Sequence, residues 1–159
     1  MIEYKLNMGD IAVCDNQNVT LTCVGLGSCI GLFLQDRTIG LSGGAHIQLP
    51  NEVSMPTYDG KYYSVKSAMV ELIKQFKIRG SSAQSLRAKI TGGASVVRLD
   101  NSYQTGKNNA ESIINELVQR NIFIASSDVG GHLSRTARFN CQSGELHVRH
   151  PETNQTKTF

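Results

Sequence analysis

Apolar residues at Val65, Ala68, Met69, Leu72, Ile73 and Phe76 recur at offsets 0, 3, 4, 7, 8 and 11, the spacing that lines one face of an α-helix. Ser64 stands where an N-cap is needed and Gly80 lies just past the last turn, so the pattern predicts a helix between them. Ala110, Ile113, Ile114, Leu117 and Val118 repeat the stripe at 0, 3, 4, 7 and 8, with Asn121 as a left-handed terminator. Each stripe predicts a face buried against the rest of the domain. Around the helices the pattern changes to short β-rich runs: 11–14, 19–24, 29–34, 39–49, 88–91, 122–126, and 135–141 joined to 145–149 across Gln142-Ser143-Gly144. Long β stretches segregated from two helices predict an α+β fold, with helices packed on a largely antiparallel sheet system.

The runs at 29–34 and 39–49 read as a hairpin, with Gln35-Asp36-Arg37-Thr38 as its turn. A loop centred between Arg37 and Thr38 pairs residues whose numbers sum to 75, which sets Cys29 opposite His46. Directly opposed Cβ atoms lie about 4.5–5.5 Å apart, within reach of a Cys–His hydrogen bond. Gly43-Gly44 is the weak point, since a bulge there shifts the register by one and turns His46 to the other face.

At 159 residues and 40% hydrophobic content, a single domain spanning 1–159 is expected. The net charge of +3 comes from basic residues dispersed along Lys61–Arg98 and Lys107–Arg149, with no cluster suited to nucleic acid. The opening residues contain no apolar signal region, and no apolar run is long enough to span a bilayer, so a cytoplasmic protein without membrane insertion is expected. In that compartment Cys14, Cys23, Cys29 and Cys141 are expected to be reduced. No pair is spaced Cys-x-x-Cys, which argues against a zinc ribbon or a thioredoxin-type site. His147 and His150 face opposite sides of a strand, so these two, with His132, read as surface histidines; neither metal nor cofactor is expected.

Cys29 follows Gly25-Leu26-Gly27-Ser28, where unencumbered backbone N–H groups can approach a developing oxyanion, and a histidine opposite could take its proton. By residues alone it is either such a nucleophile or another small buried hydrophobe, the reading that fits Cys14 and Cys141. Gly92-Gly93 and Gly130-Gly131 belong to no phosphate-binding motif and read as tight turns at strand ends, which could also shape a site beside Cys29. The loop 51–61 follows directly on His46 and its neighbours; it is either a lid or a plain surface connection.

Gly-Leu-Gly-Ser-Cys-Ile together with Ala45-His46-Ile47-Gln48-Leu49-Pro50 resembles the signature of the chemoreceptor glutamine deamidases, the CheD family of bacterial chemotaxis. The resemblance continues through Met8-Gly9-Asp10-Ile11-Ala12-Val13, 88–95, 106–110, and Asp128-Val129-Gly130-Gly131 with Arg135, and so covers nearly the whole chain. It implies a cysteine-nucleophile amidohydrolase in which Cys29 attacks the side-chain amide of a receptor glutamine. His46 then protonates the departing ammonia and water hydrolyses the thioester to glutamate; glutamyl methyl esters fit the same path. The amides at Gly27 and Ser28 would hold the oxyanion. By resemblance the fold is a three-layer α/β/β arrangement akin to the deamidase toxins of the cysteine-hydrolase class. The implied partners are methyl-accepting chemotaxis receptors and the CheC phosphatase, which in this family competes as a substrate mimic.

The family's third catalytic member is a threonine six residues before the nucleophile, and here that position is Cys23, with Thr22 one residue earlier. Adjacent strand residues point to opposite faces, so Thr22 serves only if a bulge brings it in; otherwise His46 is less firmly oriented. Asn108 also departs from the arginine the family tends to carry there. These departures keep open a CheD-like module that binds receptors or CheC with little chemistry. A redox pair of Cys23 and Cys29 is disfavoured because residues six apart on an extended strand lie beyond the Cα separation of about 7 Å that a disulfide tolerates.

Overall fold

The computed structural model describes residues 1–50, 60–96 and 102–159, with the first two residues of its second helix described by backbone alone. Among the described residues ten strands form two five-stranded sheets. The first sheet contains β1 (Ile2–Lys5), β3 (Val19–Leu26), β8 (Arg135–Asn140), β9 (Leu146–His150) and β10 (Gln155–Thr158), in that order. In the second, the order is β2 (Ile11–Cys14), β5 (Leu41–Ile47), β4 (Ile30–Asp36), β6 (Leu86–Gly92) and β7 (Phe123–Val129). The helices are α1 (Val65–Ile78) and α2 (Ser102–Gln119). The fold is α+β, as the segregation of patterns predicts. Most pairings are antiparallel, but β1–β3 and β6–β7 run parallel.

α1 begins as the sequence indicates. Ser64 Oγ accepts from Ser67 N at 3.2 Å while Ser67 Oγ accepts from Ser64 N at 3.2 Å, which satisfies two orphan donors reciprocally. Gly80 follows with φ of +95°, and Asn121 closes α2 with φ of +57°. α2 starts well before its apolar stripe, and Val118 is exposed rather than buried; the contact face runs through Ala110, Ile113 and Leu117. The strands β1 and β10 escape the pattern because every residue in them is exposed at a sheet edge, where no alternation marks a buried face.

The second sheet is buried on both sides. Ile30, Leu32 and Leu34 of β4, with Ala45 and Ile47 of β5, meet Met69, Leu72 and Phe76 of α1 and Ile113 and Leu117 of α2. The alternate residues face the first sheet, where Cys29 and Phe33 join Leu21, Cys23, Leu26 and Phe139 in a separate core. Phe33 stacks on Phe139 with centroids 5.3 Å apart. Truncating a fully buried phenylalanine of this kind costs about 3–5 kcal/mol. Among the described residues no helix is long and apolar enough to cross a membrane. The first nine residues of the loop suggested as a lid, 51–59, lie outside the described residues.

Candidate active site between the two sheets

The β4–β5 hairpin pairs Asp36 with Leu41 and Gly31 with His46, so partner numbers sum to 77 rather than 75. The turn is Arg37–Gly40, two residues later than the polar run suggests. Asp36 ends the strand and starts the turn, accepting from Thr38 N at 2.9 Å and Thr38 Oγ1 at 2.5 Å, and Gly40 supplies φ of +66°. Ile39 reads as a strand residue by its hydrophobicity yet lies exposed in the turn. Gly43-Gly44 carries no bulge; the glycines instead admit close packing. A Cβ on Gly43 would sit 2.7 Å from the Phe76 ring, and one on Gly44 3.0 Å from Leu6 Cδ1.

A slip of two preserves the face. Ala45 and Ile47 point to the helices, so His46 points toward the first sheet, the side on which Cys29 and Phe33 also lie. Cys29 lies one residue beyond the ladder, which ends at Ile30–Ile47, so the register does not set it opposite His46; diagonal neighbours on such a ladder have Cα atoms about 7–8 Å apart. Between Cys29 and His46 stands Gly31, whose missing side chain leaves room; a Cβ there would come within 3.1 Å of Leu26 Cδ1 and 3.6 Å of Cys23 Sγ.

The segment crossing from β1 to β2 wraps His46. Gly9 N donates to His46 O at 2.9 Å and His46 N to Asp10 O at 3.1 Å, while Leu6 N is anchored on Thr22 O at 2.8 Å. The imidazole Nδ1 lies 2.8 Å from Leu6 O. A carbonyl only accepts, so Nδ1 carries the proton and Nε2 the lone pair. That Nε2 is buried, and among the described residues it has no hydrogen-bond partner. Burial lowers the His46 pKa below 6.5, against the smaller opposing effects of Leu6 O and Asp10. The ring is thus a neutral base with its acceptor nitrogen unengaged. Beside it opens a cavity of about 350 Å³ whose walls include Leu6, Asn7, Met8, Thr22 and Gly25.

The nucleophile candidate sits on a bend held by its carbonyls. Ala94 N donates to Gly27 O at 2.8 Å, Asn109 Nδ2 to Ser28 O at 2.9 Å, and Gly93 N to Cys29 O at 2.9 Å. The second donor of Asn109 reaches Gln48 O at 2.9 Å, so one buried side chain on α2 ties the Cys29 bend to the chain just after His46. Cys29 is 8% exposed, and burial raises its thiol pKa. Thiol and neutral imidazole, rather than a thiolate–imidazolium pair, are the resting forms at neutral pH.

Thr22 and Cys23 separate as strand alternation requires. Thr22 pairs with Arg138 and Cys23 with Ala137; the irregularity in β3 falls between Cys23 and Leu26, where Gly25 has φ of +69°. It falls after Thr22, which is fully buried and lines the cavity beside His46, while its hydroxyl donates to Glu3 Oε1 at 3.0 Å. Cys23 is wholly buried in the core that holds Cys29, and burial, then the neighbouring Cys29, push its pKa up. The contact that fixes the histidine ring is the Leu6 carbonyl.

Gly92-Gly93 abuts the bend, and Gly130-Gly131 is joined to it through Gly130 N on Gly92 O at 2.9 Å. A Cβ on Gly92 would lie 2.2 Å from Cys29 O, so only glycine fits, and its φ is +106°. Arg135, buried on β8, binds Gly130 O at 2.8 Å and Gly92 O at 3.3 Å, and pairs with Asp128 at 3.1 Å. It clamps both glycine turns from the opposite sheet. His132, His147 and His150 bind Ser95 O, Thr158 Oγ1 and Ser134 O respectively, and among the described residues no group of side chains is arranged to hold a metal. Two contributors escape sequence reasoning: the Leu6 carbonyl, because a main-chain atom has no side-chain signature, and Asn109, whose role requires knowing that α2 reaches the bend.

Comparison with known proteins agrees with the resemblance read from the motifs. A family model described as CheD chemotactic sensory transduction matches residues 48–150. A protein of Desulfitobacterium hafniense named "Probable chemoreceptor glutamine deamidase CheD" is 36% identical over 148 residues, 91% of this chain and 91% of its own length. The Thermotoga maritima "Chemoreceptor glutamine deamidase CheD" is 31% identical over 144 residues, 91% of this chain and 89% of its own length. Among solved structures, a Bacillus licheniformis hypothetical protein YfiH aligns with a TM-score of 0.43 at 14% identity, over 75% of this chain and 51% of its own.

Proposed function

The chain belongs to the CheD family, and from that premise we propose that it deamidates glutamine side chains of chemotaxis receptors to glutamate, with Cys29 as nucleophile and His46 as base. The observation that carries the reading is the buried His46 ring, its proton held on Leu6 O and its Nε2, without a partner among the described residues, on the face it shares with Cys29. As the Cys29 sulfur attacks the amide carbon, Nε2 takes the thiol proton. Cys29 and His46 need no ion pair beforehand, which suits a buried thiol with a raised pKa. The amides around Gly27 and Ser28 would stabilise the tetrahedral oxyanion. Collapse passes the proton from Nε2 to the leaving ammonia, and water activated by the same nitrogen hydrolyses the thioester. A glutamyl methyl ester would follow this route with methanol as the leaving group.

Thr22 is not needed as a third member in this scheme: Leu6 O fixes the tautomer, and Cys23 occupies the family's threonine position as a packed thiol. We read the architecture as a single domain of three layers, helices on a sheet on a sheet, related to the deamidase toxins, acting in the cytoplasm on receptors, with CheC as a second partner that binds as a substrate mimic. The competing reading, a receptor-binding module with little chemistry, draws on Cys23 and on the burial of Cys29. Incubation with a receptor cytoplasmic fragment separates them. Deamidation predicts a shift of about one dalton per modified glutamine that Cys29→Ala abolishes; binding with no shift at any glutamine sinks the enzyme.

A further inference from the structure

We propose that Cys14 and Cys141 form a reversible disulfide when the protein meets a peroxide, a modification site distinct from Cys29. Cys14 ends β2 and Cys141 follows β8, so the two thiols belong to different sheets, yet their sulfurs lie 3.8 Å apart. The setting is already cross-linked: Cys141 O accepts from Gln35 Nε2 at 3.0 Å and from Ser42 Oγ at 3.4 Å, and Cys141 N donates to Val19 O at 3.0 Å. A disulfide has sulfurs about 2.05 Å apart, so closure needs a relative movement of less than about 2 Å. Cys14 is partly exposed while Cys141 is buried, an arrangement with one thiol for the oxidant and one to resolve it.

The ionisation of the pair favours this order. A hydrogen bond from Cys141 brings the Cys14 pKa down to about 7 despite partial burial, whereas the same bond, and burial, push Cys141 up. The Cys14 thiolate attacks one peroxide oxygen, the O–O bond breaks, and the departing hydroxide takes a proton to leave as water. The Cys141 sulfur then attacks the sulfur of the resulting sulfenic acid. An S–S bond forms, the S–O bond breaks, and the Cys141 proton leaves with the hydroxide as a second water. The two sulfurs lose two electrons in all, and the peroxide takes both.

Trypsin alone would leave Cys14, Cys23 and Cys29 on one peptide, but a second protease cutting before aspartate isolates Asp10–Cys14. After treating the whole protein with hydrogen peroxide near pH 7.5, the intact mass should fall by about two daltons and return with dithiothreitol. The double digest without reductant should contain residues 10–14 linked to 139–149, and Cys14→Ser should lose that species while remaining folded. A linkage through Cys23 or Cys29, or Cys14 oxidised beyond the sulfenic state with Cys141 still reduced, overturns the proposal. Because the readout is covalent, it is independent of whether the protein deamidates anything.

Discussion

Cys14 and Cys29 lie along the same seam between the sheets and have opposite characters. Cys14 pairs with Ser42 on the β2–β5 ladder, four residues of β5 away from His46, a separation of about 13 Å at the usual strand rise. At Cys14 the hydrogen bond with the Cys141 thiol outweighs partial burial, so the pKa falls to about 7. At Cys29 burial raises the pKa. The thiol with the lowered pKa is thus not the one proposed as the nucleophile. In the proposed mechanism, reactivity at Cys29 comes from proton transfer to His46 during attack rather than from an intrinsically acidic thiol.

The largest expected effect contrasts the two thiols directly. Cys29→Ala should lower receptor deamidation by about a thousandfold or more, the scale of losing a nucleophile, while Cys14→Ser should leave the rate within about twofold. Mass spectrometry of a receptor fragment over time reads both, and equal losses would erase the distinction. Next in size is labelling by iodoacetamide near pH 7.5. Cys14 should be alkylated at least about tenfold faster than Cys29, since the thiolate is the reacting species. Faster labelling of Cys29 would mean that its thiolate is held ready after all.

A smaller effect concerns pH. The folded pKa of His46 lies below the unfolded value near 6.5, so the unfolded chain binds the extra proton first. The stability linked to this residue is complete above pH 6.5 and declines as pH falls through that value. Denaturant titrations at a series of pH values should show this decline in the native protein and a weaker one in His46→Gln, and the acid limb of kcat/KM should lie below pH 6.5. An acid limb centred above that value would contradict a buried neutral base. Smallest of all should be Cys23→Thr, which restores the family residue. With Leu6 O already holding Nδ1, deamidation should change by less than about threefold, and a tenfold gain would show that the carbonyl alone orients the ring poorly.

Some of this was legible from one dimension. The α1 stripe with its Ser64 cap, the Asn121 terminator and the bounds of β2 all appear where local pattern puts them, because caps, helical spacing and strand alternation are determined by residues a few positions apart. The hairpin could be recognised but its register could not. The slip of two arose because Asp36 bonds to Thr38 and draws the turn forward, while Ile39 imitates a strand residue. That His46 and Cys29 share a face survived the error only because the slip was even.

By itself the sequence determined the α+β class and the family, and it singled out Cys29 and His46 as the pair proposed for the chemistry. Tertiary structure decided what holds that pair: the Leu6 carbonyl on the imidazole, Asn109 bridging Ser28 and Gln48, and Arg135 clamping two glycine turns from the other sheet. It also brought together Cys14 and Cys141, which the sequence separates by most of the chain. The physical reason is the same in each case. Hydrogen bonds to main-chain carbonyls and contacts across two sheets depend on how distant segments pack, and no local spacing encodes them.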